Sequence, residues 1–139
     1  MRRRQTSIGY AKVIFAAIAG ALTAVPALAH HSFSMFDQRK LTKIDGTVKE
    51  YEYISPHAWL HLAVPTADGK SVEWAFEMGG VGQLNRDGWN RDTVKVGDKV
   101  SVEFHPLRDG SQGGQFRAII FADGKRMCQA GAGNEHCKS

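Results

Sequence analysis

The chain has 139 residues, of which 42% are hydrophobic and 23% charged, a composition that indicates one globular domain and excludes a disordered or collagen-like chain. The formal charge of +4 comes entirely from residues 1–29, which hold four of the 18 basic side chains and no acidic one. The remaining 110 residues carry 14 charges of each sign. A nucleic-acid-binding protein is therefore not predicted, because such proteins need a basic face to release counterions.

Residues 1–29 have the three parts of a secretory signal peptide. A basic start at Arg2, Arg3 and Arg4 precedes an uncharged run of 13 residues, 13–25, and Ala27-Leu28-Ala29 supplies the small residues of a cleavage site. An uncleaved membrane anchor is the alternative, but a bilayer-spanning helix needs roughly 20 apolar residues. We expect cleavage after Ala29, no membrane span in the mature protein, and a periplasmic or secreted location.

The mature chain has the pattern of short strands. From Ile44 onward, β-branched and aromatic residues recur in runs separated by Gly, Pro and Asp. The predicted strands are residues 44–54, 58–64, 71–77, 100–104 and 116–121, with a short helical turn within 81–89 and a loop at 108–114. Three strands, a helical insertion and two more strands are the order of the OB-fold. We predict an all-β, five-stranded, OB-fold-like Greek-key barrel, with other small barrels or a sandwich as alternatives.

The predicted domain boundaries follow from these elements. An N-terminal segment of the mature protein covers residues 30–43, the barrel covers 44–126, and a flexible tail covers 127–139. Cys128 and Cys137, the two cysteines of the chain, lie in that tail. They are a candidate disulfide closing one small loop, or two unpaired thiols, and their spacing is not that of a Cys-x-x-Cys redox centre.

The six histidines all follow residue 29 and are the main chemical feature of the sequence. They are His30, His31, His57, His61, His105 and His136. Cleavage after Ala29 would make His30 the N-terminus, so that its α-amine and ring Nδ1 could chelate one ion. A second imidazole would complete a nitrogen-rich tetragonal site, which favours Cu(II). The terminal histidine resembles the histidine brace of secreted copper proteins, and His31 is a further candidate ligand.

Two strand-end histidines are candidates for the remaining ligand. His57 precedes the second predicted strand and His105 ends the fourth, so both are expected on a barrel rim near the N-terminal segment. His57 and His61 lie roughly 13 Å apart along a strand, which is too far to share one ion. Glu77 and His61 are candidate supporting residues around the ligands. Each histidine alone is more often a hydrogen-bonded structural residue, and together they make copper, rather than zinc, the candidate cofactor.

The tryptophans and the absent motifs bear on other functions. Trp59 and Trp89 are interpreted first as core or rim residues, and alternatively as a surface for a ligand or partner. The sequence has no Gly-x-Ser-x-Gly elbow, phosphate-binding loop or His-Glu-x-x-His motif. We therefore expect a binding protein rather than an enzyme and assign no catalytic residue.

Several ordered motifs resemble an uncharacterised family of small exported bacterial proteins. They are His30-His31-Ser32-Phe33-x-Met35-Phe36-Asp37, Gly46-Thr47-Val48, Ser55-Pro56-His57-x-Trp59, Gly88-Trp89-x-Arg91, Gly97-Asp98-x-Val100 and His105-Pro106-Leu107-Arg108-Asp109-Gly110. The resemblance extends from His30 to about Arg126. Ser55 stands where the family usually has asparagine. The resemblance implies export and brings no established activity.

Three functions are consistent with these observations. The first is a periplasmic module that binds or delivers copper through His30 and one or two of His31, His57 and His105. The second is an adaptor or ligand-binding module that uses Trp59 and Trp89 to contact a periplasmic or inner-membrane partner. The third is a copper-dependent redox enzyme, which would require an open coordination position.

Overall fold

A computed structural model describes residues 34–130 of the protein. Its elements in chain order are β1 (Thr42–Glu52), β2 (Trp59–Pro65), β3 (Ser71–Glu77), α1 (Val81–Arg86), β4 (Lys99–Pro106), β5 (Gly113–Phe121) and β6 (Arg126–Cys128). The strand β1 starts and ends two residues before its predicted limits. The peptide bond between Ser55 and Pro56, in the segment that follows β1, is cis. Within residues 34–130, no helix has the length and apolar character needed to cross a membrane.

The first five strands form a closed barrel. β2 pairs antiparallel with β1 and β3, while β4 pairs antiparallel with β1 and β5. A parallel pairing between β3 and β5, from Ala75↔Gly113 to Glu77↔Gln115, closes the ring. The helix α1 lies between β3 and β4 in the chain. These pairings confirm the predicted five-stranded, OB-fold-like barrel and its single helical insertion.

A sixth short strand extends the ordered chain beyond the predicted barrel. Residues 126–128 pair antiparallel with Ala118–Ile120 of β5 after the turn that contains Gly124. Gly124 has a φ of 86°, in the region that favours glycine. Met127 and Cys128, expected in a flexible tail, thus belong to the sheet.

The core is formed by alternate residues of the strands. Leu60 and Leu62 of β2, and Val102 and Phe104 of β4, are almost completely buried. Leu84 is the buried residue of α1. Removal of these side chains from water is the main stabilising contribution to such a domain.

Trp89 is a core residue and not the surface residue proposed as an alternative. It is 2% exposed and packs edge-on against Phe116, with ring centroids 5.4 Å apart. Its indole N–H donates to the carbonyl of Cys128 at 2.9 Å. This bond satisfies the one polar group of the ring, so Trp89 links the segment after α1 to β6 and offers no face to a partner.

Two glycines that were predicted to lie in a loop belong to the strand pairing that closes the barrel. Gly113 and Gly114 begin β5, between the end of β3 and the end of β4. A Cβ atom on Gly113 would lie 2.3 Å from the carbonyl oxygen of Ala75, and one on Gly114 would lie 2.3 Å from that of His105. Only glycine allows the three strands to approach this closely.

Candidate functional site

One row at an end of the barrel consists of four residues from four different strands: Trp59, Glu77, Gln115 and His105. We name this row, together with His57 beside it, the His57 rim. The pairing registers are Trp59↔Glu77, Glu77↔Gln115 and His105↔Gln115. Directly paired residues project to the same side of a sheet, and the inward neighbours of these four fill the core. The rim therefore presents an indole, a carboxylate, an amide and an imidazole on the outside of the barrel, and His57 precedes Trp59 by two residues.

The N-terminal segment, residues 34–41, is bound beside this rim. The backbone N–H of Asp37 donates to the carbonyl of Pro106 at 2.8 Å, and that of Arg108 donates to the carbonyl of Met35 at 2.9 Å. Phe36, between these two contacts, is buried. The fold thus brings together the segment around Phe36, the motif that contains His57 and the motif that begins at His105, which are separate in the sequence.

His57 is oriented by Glu77. Its Nδ1 atom forms a short hydrogen bond with Oε1 of Glu77. A carboxylate can only accept, so the Nδ1 atom carries the proton and, in the neutral ring, Nε2 keeps its lone pair. The His57 side chain is 43% exposed, whereas that of Glu77 is 14% exposed. A carboxylate that holds one nitrogen of an imidazole while the other remains available is a common arrangement around protein metal ions.

A small cavity of about 70 Å³ lies against this pair. Its lining residues are Phe36, His57, Glu77, Met78, Gly79, Gln115 and Gln129. Gln129 is fixed because its Oε1 atom accepts from the backbone N–H of Gly79 at 2.6 Å. Gln115 accepts from Nε2 of Gln38 at 2.7 Å. The cavity is large enough for an ion or one or two water molecules.

The two strand-end histidines, His57 and His105, are not in contact. Nδ1 of His105 donates to the carbonyl of Lys40 at 2.5 Å, so this ring contacts the N-terminal segment as expected. In this row the strand that carries Gln115 lies between His105 and Glu77. Two interstrand spacings, or roughly 10 Å, therefore separate His105 from Glu77. Among residues 34–130, no three His, Cys, Asp or Glu side chains are grouped so that they could hold a metal. His30 and His31 lie outside the described residues, and their role as ligands stays a prediction.

His61 lies on the outer face of β2 between two carboxylates. Its Nδ1 is 3.0 Å from Oε1 of Glu73, and its Nε2 is 3.2 Å from Oε1 of Glu52. The contact between Nε2 and Glu52 is within ion-pair distance, but its geometry is not that of a hydrogen bond. Glu73 also pairs with Lys49. His61 therefore belongs to a cross-strand ion network and not to the cavity beside His57.

This network predicts lower stability in acid. The Lys49 ammonium and, second, the His61 ring hold the pKa of Glu73 below its usual value. The folded state therefore favours the ionised carboxylate, and this stabilisation is complete above the unfolded-state pKa of about 4 and lost as the pH falls through the lower folded-state pKa. Urea unfolding should show the free energy of unfolding falling below about pH 4, and less steeply in Glu73→Gln. Asp92→Asn, at an exposed turn, is the control for charge removal; an equal flattening there would contradict the assignment.

Two further predicted residues have defined positions. Trp59 is half-buried on the rim, with its ring centroid 6.4 Å from that of His61. Cys128 is disulfide-bonded, and Cys137 lies outside the described residues. The predicted loop between the two cysteines therefore stays a prediction.

Sequence reasoning did not identify Gln115, Gln129 or Met78 as parts of the site. The pairing of β5 with both β3 and β4 brings Gln115 to the rim, and this pairing joins distant parts of the chain. Gln129 follows the unpredicted strand β6.

A larger groove, of about 650 Å³, lies elsewhere on the barrel. It is lined by the middle of β1, the end of β2, the start of β4 and the end of β5, including Asp45, Val64, Lys99 and Phe121. None of the predicted histidines lines it. The groove is therefore a separate concave surface, and the chemistry of imidazole and carboxylate is concentrated at the His57 rim.

Comparison with known proteins gives a family but no activity. No curated protein matches the chain significantly. The model of DUF6152, described as a family of unknown function, matches residues 19–117. This range includes β1 to β4, the whole His57 rim and residues 34–41 of the N-terminal segment. The chain therefore belongs to DUF6152, a family of unknown function.

Proposed function

We propose that this protein is an exported copper-binding protein, in which His57 at the barrel rim and the mature N-terminal His30 hold the ion. The observation that carries the proposal is the His57–Glu77 pair beside the bound N-terminal segment. His31 is a further candidate ligand, whereas His105 is bonded to the carbonyl of Lys40 and lies away from His57. The protein would bind copper in the periplasm, or deliver it to a periplasmic or inner-membrane partner.

The orientation of His57 supports this proposal. Glu77 fixes the direction of the ring, which reduces the entropy lost when Nε2 binds an ion. The ring is partly exposed, so an ion can reach it.

The position of Ser34 supports a contribution from the N-terminus. Its carbonyl accepts from Nε of Arg108 at 3.0 Å, and Phe36 lines the same cavity as His57. Only four residue steps separate His30 from Ser34. An extended chain spans at most about 3.5 Å per residue, so four residues could bridge roughly 14 Å.

The donor set favours copper over zinc. A terminal amine, the Nδ1 atom of the same residue and the Nε2 atom of His57 are three nitrogen donors, which suit tetragonal Cu(II). Zinc sites are usually tetrahedral, with three or four protein ligands. A signal peptide ending at Ala29 would expose His30 as the terminus, so export and metal binding would depend on the same cleavage.

We therefore expect Cu(II) binding to depend on a free His30 terminus. Protein processed to begin at His30 should bind one Cu(II) ion tightly and give a nitrogen-rich electron paramagnetic resonance spectrum. A matched form that retains Ala29 should bind at least about a hundredfold more weakly, because it lacks the amine-imidazole chelate. Equal weak binding by both forms would contradict the proposal. Mass spectrometry establishes which terminus each sample has.

The large groove favours a second function, that of a ligand-binding module. Its volume of about 650 Å³ falls within the range of small-molecule sites, and it combines apolar residues with Lys99 and Asp45. If both N-terminal forms bind copper equally weakly, calorimetry with small amphiphilic anions tests this alternative. Binding lost in Lys99→Ala would support it.

A further inference from the structure

We infer that Phe36 is a positioning residue for the copper site: bridged to Leu107 and buried, it holds the N-terminal segment so that the mature terminus stays within reach of His57. We name residues 105–108, which bind this segment, the clamp. The inference rests on the proposed function and gives a role to the motif that begins at His105. Phe36 is not a ligand and acts through the position of the terminus.

The clamp binds the backbone of the segment on both sides of Phe36. The N–H of Arg108 donates to the carbonyl of Met35 at 2.9 Å. The N–H of Asp37 donates to the carbonyl of Pro106 at 2.8 Å. These bonds fix the direction in which the segment runs past the His57 rim.

Two side chains of the clamp extend this attachment in both directions. Nε of Arg108 donates to the carbonyl of Ser34 at 3.0 Å. Nδ1 of His105 donates to the carbonyl of Lys40 at 2.5 Å. The segment is therefore bound from Ser34 to Lys40 before β1 begins.

Phe36 supplies the apolar part of the attachment. It is 3% exposed, whereas the adjacent Met35 is 47% exposed. Phe36 lines the cavity that His57 also lines. In the described part of the chain, it does not belong to the cluster of buried side chains that forms the barrel core. Removing its ring should therefore release the segment from the clamp and leave the barrel folded.

The clamp determines how much chain separates the fold from the terminus. With the segment bound, the first fixed residue is Ser34, four positions after His30. With the segment released, the first fixed residue is Thr42 of β1, twelve positions after His30. The effective concentration of a tethered group falls roughly as the −3/2 power of tether length, so release should weaken copper binding about fivefold.

The test is a Cu(II) titration of four proteins that begin at His30: wild type, Phe36→Ala and two insertion variants. An eight-residue Gly-Ser linker inserted before Ser34 lengthens the tether as much as release does, so this variant and Phe36→Ala should each bind about fivefold more weakly. The same linker inserted between Leu41 and Thr42, on the barrel side of the clamp, should leave the affinity unchanged. Leu41 is 55% exposed, so an insertion there can project into solvent. The two linker variants remain a test if Phe36→Ala does not fold.

Forms that retain Ala29 separate positioning from a structural effect. They lack the amine-imidazole chelate, so neither Phe36→Ala nor the linker before Ser34 should weaken their residual binding. An equal loss in both terminal forms, or the same affinity for the two linker variants, would overturn the inference alone. Equal weak binding by both terminal forms of the wild type would contradict the proposed function and this inference with it.

Discussion

Gly114→Ala is expected to lower the free energy of unfolding by about 4 kcal/mol or more, a large part of the stability of a domain this size. The added Cβ would lie 2.3 Å from the carbonyl oxygen of His105 and 2.6 Å from Cδ2 of Phe104. The carbonyl cannot retreat without breaking the pairing of β4 with β5, and the Phe104 ring is almost completely buried. The pairing between β4 and β5 must therefore separate at Gly114 to accommodate one methyl group.

The matched control is Gly82→Ala. Gly82 is exposed on α1, and the nearest atom to an added Cβ is the far end of the Arg86 side chain at 3.9 Å. Alanine is the better helix former, so this variant should gain up to about 1 kcal/mol. Urea unfolding followed by tryptophan fluorescence and circular dichroism compares the two. Equal unfolding midpoints for Gly114→Ala and wild type would show that the closure tolerates a side chain.

The glycine pair also shows where sequence reasoning reached its limit. The alternation of Val72, Trp74 and Phe76 predicts β3 because a strand alternates its two faces locally. Gly113 and Gly114 follow a run of polar and glycine residues that is equally typical of a loop. They belong to a strand because β3 and β4 lie on either side of them, and a contact between distant segments leaves no local pattern in the sequence.

The candidate site likewise has one contact that the sequence suggested and one separation that it did not reveal. The contact between His57 and Glu77 follows from the β2–β3 hairpin, whose register pairs Trp59 with Glu77. The sequence suggested Glu77 as a supporting residue for a histidine because it lies near the end of a predicted strand. The separation of His57 from His105 depends on the parallel pairing of β3 with β5, which places Gln115 between them. That pairing joins residues far apart in the chain, and strand-end position alone did not reveal it.

His57→Ala is expected to weaken Cu(II) binding by about a hundredfold or more, because it removes one nitrogen donor. The side chain is partly exposed, so the loss of folding stability should be small. His61→Ala is the matched control: it removes an imidazole four residues further along the chain, in the ion network with Glu73 and away from the cavity. Calorimetric titration of the three proteins, each with a native His30 terminus, gives the affinities. Equal losses in both variants would contradict the assignment of His57 as the ligand.

Variants of Glu77 then separate orientation from charge. Glu77→Gln keeps an oxygen that can accept from Nδ1 of His57 but removes the negative charge, whereas Glu77→Ala removes both. If orientation dominates, Glu77→Gln should bind Cu(II) nearly as wild type does and Glu77→Ala about tenfold to a hundredfold more weakly. If charge dominates, both should weaken binding equally. Wild-type affinity in both variants would mean that Glu77 does not support a ligand, and the His57–Glu77 contact would then be a structural hydrogen bond at the end of the hairpin.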